Sequence, residues 1–335
     1  MYDPSILYTD PILTNLSVGF KDQALYGAEL FPITPVNTQS GTYRVFDRTD
    51  WLTFEDRREP GTVAHEIRGR RWSSDTFKTV EHSLQAPIYD EENQQLNSQG
   101  GYANPVFGGA IQIDPAADAT KLATRAVLLK HESKVSTLVR DTAQYPAGHT
   151  VTLAGAQQWN DYTGGTSSTS DPVANLLTAM RKVWSATRRY PNVLAVPTMG
   201  LSYIENHPRV IDRFKNFRLT QEDAFQLLTG FTGRVIAVDS VYNAANNIDA
   251  TQSITDFWGK DVWLGIVEPS PSLLTQTFGK TFSQIYPNGT IRPVDRWREE
   301  ARKADVIRVS MKYDLKVVSN IAGYLIKDAF SSTAF

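Results

Sequence analysis

Asp114-Pro115 opens a stretch that meets no further proline or glycine until Pro146, and an uninterrupted run of that length must be built as one rod. Aspartate is a good helix N-cap, and proline suits the first helical position, where its missing N–H would be unsatisfied in any case. Within KLATRAVLLKHESKVSTLVRDT the apolar Leu122, Ala126 and Leu129 fall at helical spacing, with Leu128, Val135 and Leu138 on a neighbouring stripe. The spacing predicts a helix over 115–142, about 28 residues and about 42 Å long. That is more than twice the usual helix length, so the rest of the chain has to be arranged around a beam.

There is enough apolar material to do so. The chain has 335 residues, 41% of them hydrophobic, including 7 Trp, 15 Phe and 14 Tyr. A chain of this size buries roughly 75% of the surface it exposes when unfolded and needs no metal or disulfide staple. It has no cysteine, which excludes a disulfide scaffold, a thiolate zinc site and a cysteine nucleophile. MYDPSILYTDPILTNLSVGF lacks the basic start and continuous apolar core of a secretory signal. No run of 18 apolar residues suggests a membrane span. A net charge of -2 argues against broad nucleic-acid binding, which needs a clustered basic footprint.

Residues 1–41 carry Pro4, Pro11, Pro32 and Pro35 among isolated hydrophobics, with a helix-compatible piece near Asn15 to Phe31. Proline removes donors and forbids long helices, so this segment is expected to be an arm lying on something else. From Gly41 to Ala86, sixteen residues are charged, eight of each sign, against 21% charged residues for the whole chain. The strand-like ends GTYRVFD and WSSDTFKTVEHSL flank a Pro60-Gly61 turn signal, which suggests a two-stranded excursion over 42–86. Arms of 15 to 20 residues reach about 50 to 65 Å, whereas a globule of this length has a radius of gyration of about 20 Å. Such a hairpin overhangs its own domain.

Asn93 to Ile113 is polar and glycine-rich, and is expected to be a loop. Residues 145–295 alternate between types. Asp171-Pro172 starts a helix with Leu176, Leu177, Met180, Val183 and Trp184 on one side, and VLAVP follows as a buried strand. A short helix from Thr198, a turn at Pro208, a helix over LTQEDAFQLLTG and strands RVIAVD and VWLGIV complete the block. This is α/β in character, with its own core. Near the end, Ile307, Val309, Met311, Tyr313 and Leu315 alternate without a break with Arg308, Ser310, Lys312, Asp314 and Lys316, the pattern of a half-buried strand.

Chemistry is sparse. The five histidines, His65, His82, His131, His149 and His207, never fall at HxH, HxxxH or HExxH spacing, and His65-Glu66 is most simply a surface pair. There is no GxSxG elbow, Walker loop or strand-to-helix GxGxxG. Asp90-Glu91-Glu92 and Glu299-Glu300 lie in charged stretches and suit solvated faces better than a two-carboxylate cleft. No catalytic residue, metal or cofactor is expected. Arg57-Arg58 and Arg68 to Arg71 sit amid equal negative charge, which repels a polyanion but suits a partner carrying both signs. The leading candidate is another copy of this chain. The residues expected to meet it are Arg57, Arg58, Glu59, Glu66, Arg68, Arg70 and Arg71.

The order arm, charged hairpin, long helix, α/β block and returning strand resembles the major capsid proteins of tailed bacteriophages, the Hong Kong 97-type shell fold, of class α+β. The likeness runs through YTDPILTNLSVGF, ELFPITPVNTQSGTYRVFD, REPGT, EHSLQAPIYDEE, QQWNDY, RRYPNVLAVP, FWGKDVWLGIVEPSPS and AGYLIKDAF. It implies an N-terminal arm at 1–41, an extended loop at 42–86 and a peripheral domain at 87–144 with its spine helix at 115–142. An axial domain follows at 145–295, then a return to the peripheral sheet at 296–321 and a C-terminal strand and tail at 322–335. It further implies a non-enzymatic protein that self-assembles as hexamers and pentamers into an icosahedral shell around double-stranded DNA. Portal, scaffold and decoration proteins are the implied partners, and no membrane is. Assembly would occur in the host cytoplasm and the product would be the virion. No long charged helix precedes the arm, which favours a separate scaffold protein, and no residue matches the Lys and Asn cross-linking pattern of some members. Two alternatives stand beside this reading: an encapsulin-type compartment shell, and an α/β enzyme with a scattered site in 145–295.

Overall fold

The computed structural model describes residues 8–20, 25–45, 57, 60–61, 73–91, 114–167, 169–214, 230–243, 253–270, 272 and 275–331. The expected helix over LTQEDAFQLLTG and the loop from Asn93 to Ile113 fall outside them.

Two short helices precede the beam, α1 (Pro11–Gly19) and α2 (Gly27–Leu30). The beam itself is α3, Pro115–Arg140, 26 residues capped by Asp114, whose side chain accepts from the Ala116 N–H. It ends where Asp141 turns to cap a short 3-10 segment by accepting from the Ala143 N–H. The buried face of α3 matches the apolar stripes of the sequence only in part: Leu122 is 67% exposed, Leu129 and Leu138 are half-buried against the core, and the buried positions are Thr120, Ala123, Thr124, Val127, His131, Glu132, Val135, Ser136 and Val139. Small and polar side chains serve here because the helix packs closely on chain that offers hydrogen-bonding groups. Thr124 Oγ1, for example, donates to Ser17 Oγ at 3.0 Å.

Beneath α3 lies a six-stranded sheet. Its longest member, β14 (Ala304–Val317), contains the alternating segment, with Ile307, Val309, Met311 and Tyr313 all buried. On one edge, ten residues of β5 (Val80–Tyr89) run antiparallel from Tyr89 opposite Ala304 to Val80 opposite Tyr313. Along the other edge lie β13 (Val294–Glu299) and β12 (Gly279–Gln284). The chain start completes the sheet: β1 (Tyr8–Thr9) pairs with β13 and β2 (Ile33–Val36) pairs parallel to β12. Leu13, Val127, Val294, Ile307, Val309, Met311 and Tyr313 share one core between helix and sheet.

Three expectations shift accordingly. The first segment is woven into the sheet rather than lying upon it, and its helix begins at Pro11, where Asp10 accepts from the Ile12 and Leu13 N–H groups. Pro35 is tolerated because β2 has a free outer edge. The hairpin is β3 (Ser40–Val45) against β4 (Ser73–Lys78), while residues 80–86 belong to β5. Buried Thr79 marks the switch, its N–H donating to Gln39 O at 2.8 Å. Residues 279–295, counted with the α/β block, contribute β12 and part of β13 to the six-stranded sheet instead.

The α/β block is a five-stranded mixed sheet in the order β6 (Thr150–Thr152), β15 (Gly323–Lys327), β11 (Val262–Gly265), β7 (Val193–Val196), β8 (Arg234–Ala237). VLAVP and VWLGIV are buried along their whole strands, as near-continuous apolar runs covered on both faces should be. The final strand, β15, joins this sheet through β11 and β6. Its core holds Trp159, Trp258, Trp263, Phe278 and Phe330. Helix α4 (Pro172–Thr187) starts at Asp171 as expected and buries Leu176, Met180 and Val183, but Trp184 faces outward. Helices α5 (Thr198–Glu205) and α6 (Pro208–Phe214) follow β7. A two-stranded ribbon, β9 (Val241–Asn243) and β10 (Ile254–Asp256), lies apart from both sheets.

Candidate assembly surface

The charged hairpin is rooted by aromatic packing. Phe77 of β4 stacks on Phe282 of β12 at 4.6 Å between centroids, and Tyr43 of β3 tilts against the same ring at 5.1 Å. Val36 and Val318 complete this small core. Polar contacts fix the same root: the Tyr43 hydroxyl donates to Asp75 at 2.9 Å, and the Lys78 N–H donates to Asp314 at 2.9 Å. Burial and the Asp75 carboxylate push the Tyr43 phenol well above its ordinary range. The base is therefore rigid and shared with the sheet, so a load on the hairpin reaches β12 and β14. Farther out, Arg57 is exposed, and Pro60 and Gly61 form an exposed turn with Gly61 at φ +86°. Arg58, Glu59, Glu66, Arg68, Arg70 and Arg71 lie outside the described residues.

Besides its strand pairing, the arm is held by side-chain hydrogen bonds. Near its start, Thr9 donates to Asp295 at 2.8 Å, and Arg308 donates to the same carboxylate at 2.7 Å. Arg292 donates to Val18 O at 2.9 Å. Farther along, the fully buried Glu132 of α3 accepts from the Tyr26 N–H at 3.1 Å and from the Gly27 N–H. It also accepts from Ser240 Oγ at 2.9 Å and from Trp258 Nε1 at 2.8 Å. Burial raises this carboxyl's pKa, and the four donors pull it back. A Cβ at position 27 would stand 2.7 Å from Glu132 Oε2, so glycine is what lets the arm's backbone come this close. Arm, beam and the chain flanking the β9–β10 ribbon thus meet at one carboxylate. A second link lies at the end of α3, where Arg140 pairs with Asp261 at 2.6 Å and donates to Phe257 O at 2.8 Å.

Exposed apolar groups lie on several elements. Ile12 is 77% exposed and Leu122 67%, on α1 and α3. Tyr190 is 65% exposed, its ring 6.1 Å from that of Trp184, with the Arg188 guanidinium 4.9 Å over the indole. Aromatic residues beside arginine are the composition enriched at the centres of protein interfaces.

Three of the histidines and the acidic pairs singled out in the sequence have structural partners. Buried His131 meets Thr281 Oγ1 at 3.1 Å, His149 meets Gly323 O at 3.0 Å and His207 meets Ser170 Oγ at 3.2 Å. Burial holds His131 down to about 4 and keeps it neutral. Asp90 is gripped by Arg298 through two bonds of 2.6 and 2.5 Å, and Glu299 and Glu300 pair with Arg302 and Arg298. These carboxylates form ion pairs on a sheet end and do not converge on a cleft. No cluster of three potential metal ligands occurs among the described residues, and no described helix is long and apolar enough to cross a membrane. Sequence reading missed Glu132, which sits in the charged-looking KHESK and carries no sign of its burial.

No established family model matches the chain. It is 24% identical over 323 residues, 95% of each chain, to the protein called the major capsid protein of Burkholderia phage BcepMu. The crystal structure of a phage-related protein from Bordetella bronchiseptica RB50 superimposes with a TM-score of 0.70 at 26% identity, over 96% of this chain and 97% of that one. The capsid structure of Cyanophage P-SCSP1u gives 0.55 at 11% identity, over 92% and 89%, a likeness of fold alone. This chain is similar over nearly its whole length to a phage protein called a major capsid protein, and it has the α+β fold of a phage capsid subunit.

Proposed function

We propose that this chain is a major capsid protein of a tailed bacteriophage, many copies of which assemble into an icosahedral shell. The observation that carries the reading is likeness over 95% of both chains to a phage protein named for that role. A match of that extent spans arm, hairpin, beam and both sheets, and leaves little of the chain for another task. The encapsulin-type alternative has the same kind of subunit, but the curated relative is a phage protein. For the α/β enzyme alternative, no converging catalytic groups are found among the described residues to argue from.

Within that reading, the fold is of the Hong Kong 97 type. Residues 1–41 act as the N-terminal arm, the chain between β3 and β4 as the extended loop, α3 as the spine of a peripheral domain, and the five-stranded sheet with its helices as the axial domain. Subunits form hexamers and pentamers, and Arg57, Arg58, Glu59, Glu66, Arg68, Arg70 and Arg71 meet a neighbouring copy through paired charges of both signs. The role is structural rather than catalytic. Portal, scaffold and decoration proteins join the assembly, which takes place in the host cytoplasm and yields a virion enclosing double-stranded DNA. A net charge of -2 suits a container that must not grip phosphate tightly.

Sedimentation of the purified protein tests this. The expected result is a concentration-dependent shift from subunit to capsomer-sized and larger species. A subunit that stays monomeric at every concentration, salt and pH tried overturns it.

A further inference from the structure

A cavity of about 520 Å³ opens between α3, β5 and β14, within the range of small-ligand sites. Its polar wall is basic: Lys130 and Lys134 reach it from α3 and His82 from β5, against one carboxylate, Asp314 of β14. Neither lysine has a carboxylate within ion-pair distance among the described residues. The Lys134 ammonium instead donates to His82 Nε2 at 2.9 Å and lies 4.9 Å over the Tyr313 ring, against which the His82 ring also packs at 4.4 Å. An ammonium can donate there only to a neutral imidazole. Asp314 is already engaged by the Lys78 N–H.

Two lysines facing one cavity, one of them spending its proton on a histidine for want of an anion, describe a site short of negative charge. We propose that this cleft binds a small free oxyanion, of the sulfate or phosphate class, held between Lys130 and Lys134 with His82 as third donor. The anion draws Lys134 off the imidazole, offsets the repulsion between the two ammonium groups and favours a proton on His82. The charged groups facing that imidazole are Lys130 and Lys134 from α3 and Asp314 from β14, with His131 of α3 a titratable neighbour that burial keeps neutral. Glu81, next to it on β5, is paired with Lys312 at 3.7 Å. Burial first, and then the lysine charges, hold His82 below its ordinary pKa. Acidification therefore strengthens binding. The site lies within one subunit and is independent of the assembly reading.

Sulfate is the probe, because its charge stays at two between about pH 5 and pH 8, and the purified full-length protein is titrated at constant ionic strength by calorimetry. Saturable one-to-one binding is expected at pH 7.5, tighter at pH 5.5. The double variant Lys130→Gln, Lys134→Gln should lose at least about tenfold in affinity, since charge-assisted bonds are the strong ones. His82→Ala should bind at pH 7.5 but lose the gain at pH 5.5. If circular dichroism shows the double variant unfolded, Lys130→Gln alone, at an exposed helix position, must still weaken binding. Absence of saturable binding in the unaltered protein, or equal affinity in a folded lysine variant, overturns the site. Affinity unchanged by acidification overturns the part given to His82.

Discussion

Glu132 is fully buried, and its oxygens receive donors from the arm backbone, from Ser240 and from Trp258, so removing it orphans groups in three segments at once. Glu132→Ala is expected to lower stability by about 3 to 5 kcal/mol, the usual cost of breaking a buried charged network from one side, as read by urea unfolding. A loss under about 1 kcal/mol would mean the junction bears no load. His131 sets a pH dependence. Its folded pKa of about 4 lies below the ordinary 6.5 because of burial, then the nearby Lys134, Arg292 and His82 charges. The unfolded chain therefore binds the extra proton between those values, and stability falls as pH drops from 6.5 to 4, by on the order of 3 kcal/mol from this group. His131→Gln, which keeps a donor toward Thr281, should flatten that part of the curve of Tm against pH. Neither residue announces itself in the sequence: both sit in a polar stretch of a helix whose Leu122 looked like core and is exposed.

Elements were legible where one local rule decided them. The Ile307 to Lys316 alternation became β14 because one face of that strand is core, and Asp-Pro pairs at 114 and 171 became helix starts because cap chemistry is local. Pairing across long separations was not legible. Nothing in EHSLQAPIY says that it lies along β14 rather than continuing the hairpin, and nothing in ITPV says that it pairs parallel to β12. The corrected boundaries sharpen a test. Replacing Arg48 to Arg71 by Asn-Gly leaves the three-residue loop Asp47-Asn-Gly, with glycine at the position that favours a left-handed residue in such hairpins, and keeps β3, β4 and their register of Val45 opposite Ser73. The variant should unfold at an unchanged denaturant midpoint yet form no large species on sedimentation. Loss of the fold would place the excised stretch in the core. Conversely, Phe282→Ala removes the ring on which Phe77 and Tyr43 pack, costs about 3 to 5 kcal/mol and should free the hairpin base, seen as faster amide exchange in β3 and β4.

Across the whole molecule, the beam is tied to the arm and to the α/β block by a few long-range polar links, at Glu132 and at Arg140 with Asp261, and residues 8–9 and 33–36 are stitched into the six-stranded sheet. The α+β class came from the family resemblance, whereas most of the helices and strands were legible because helical and alternating segments differ in period. The division between the two sheets was not, since β12, β13 and β15 each lie far in sequence from some of their partners. A molecule built this way carries exposed apolar side chains such as Tyr190, Ile12 and Leu122 outward, which suits contacts with copies of itself. The most direct measurement is electron microscopy of the expressed protein, with and without its Arg48 to Arg71 stretch. The account predicts closed shells or isolated hexameric and pentameric capsomers for the full chain and dispersed subunits for the shortened one. Dispersed monomers of the full chain under every condition, or shells that persist without that stretch, would contradict it.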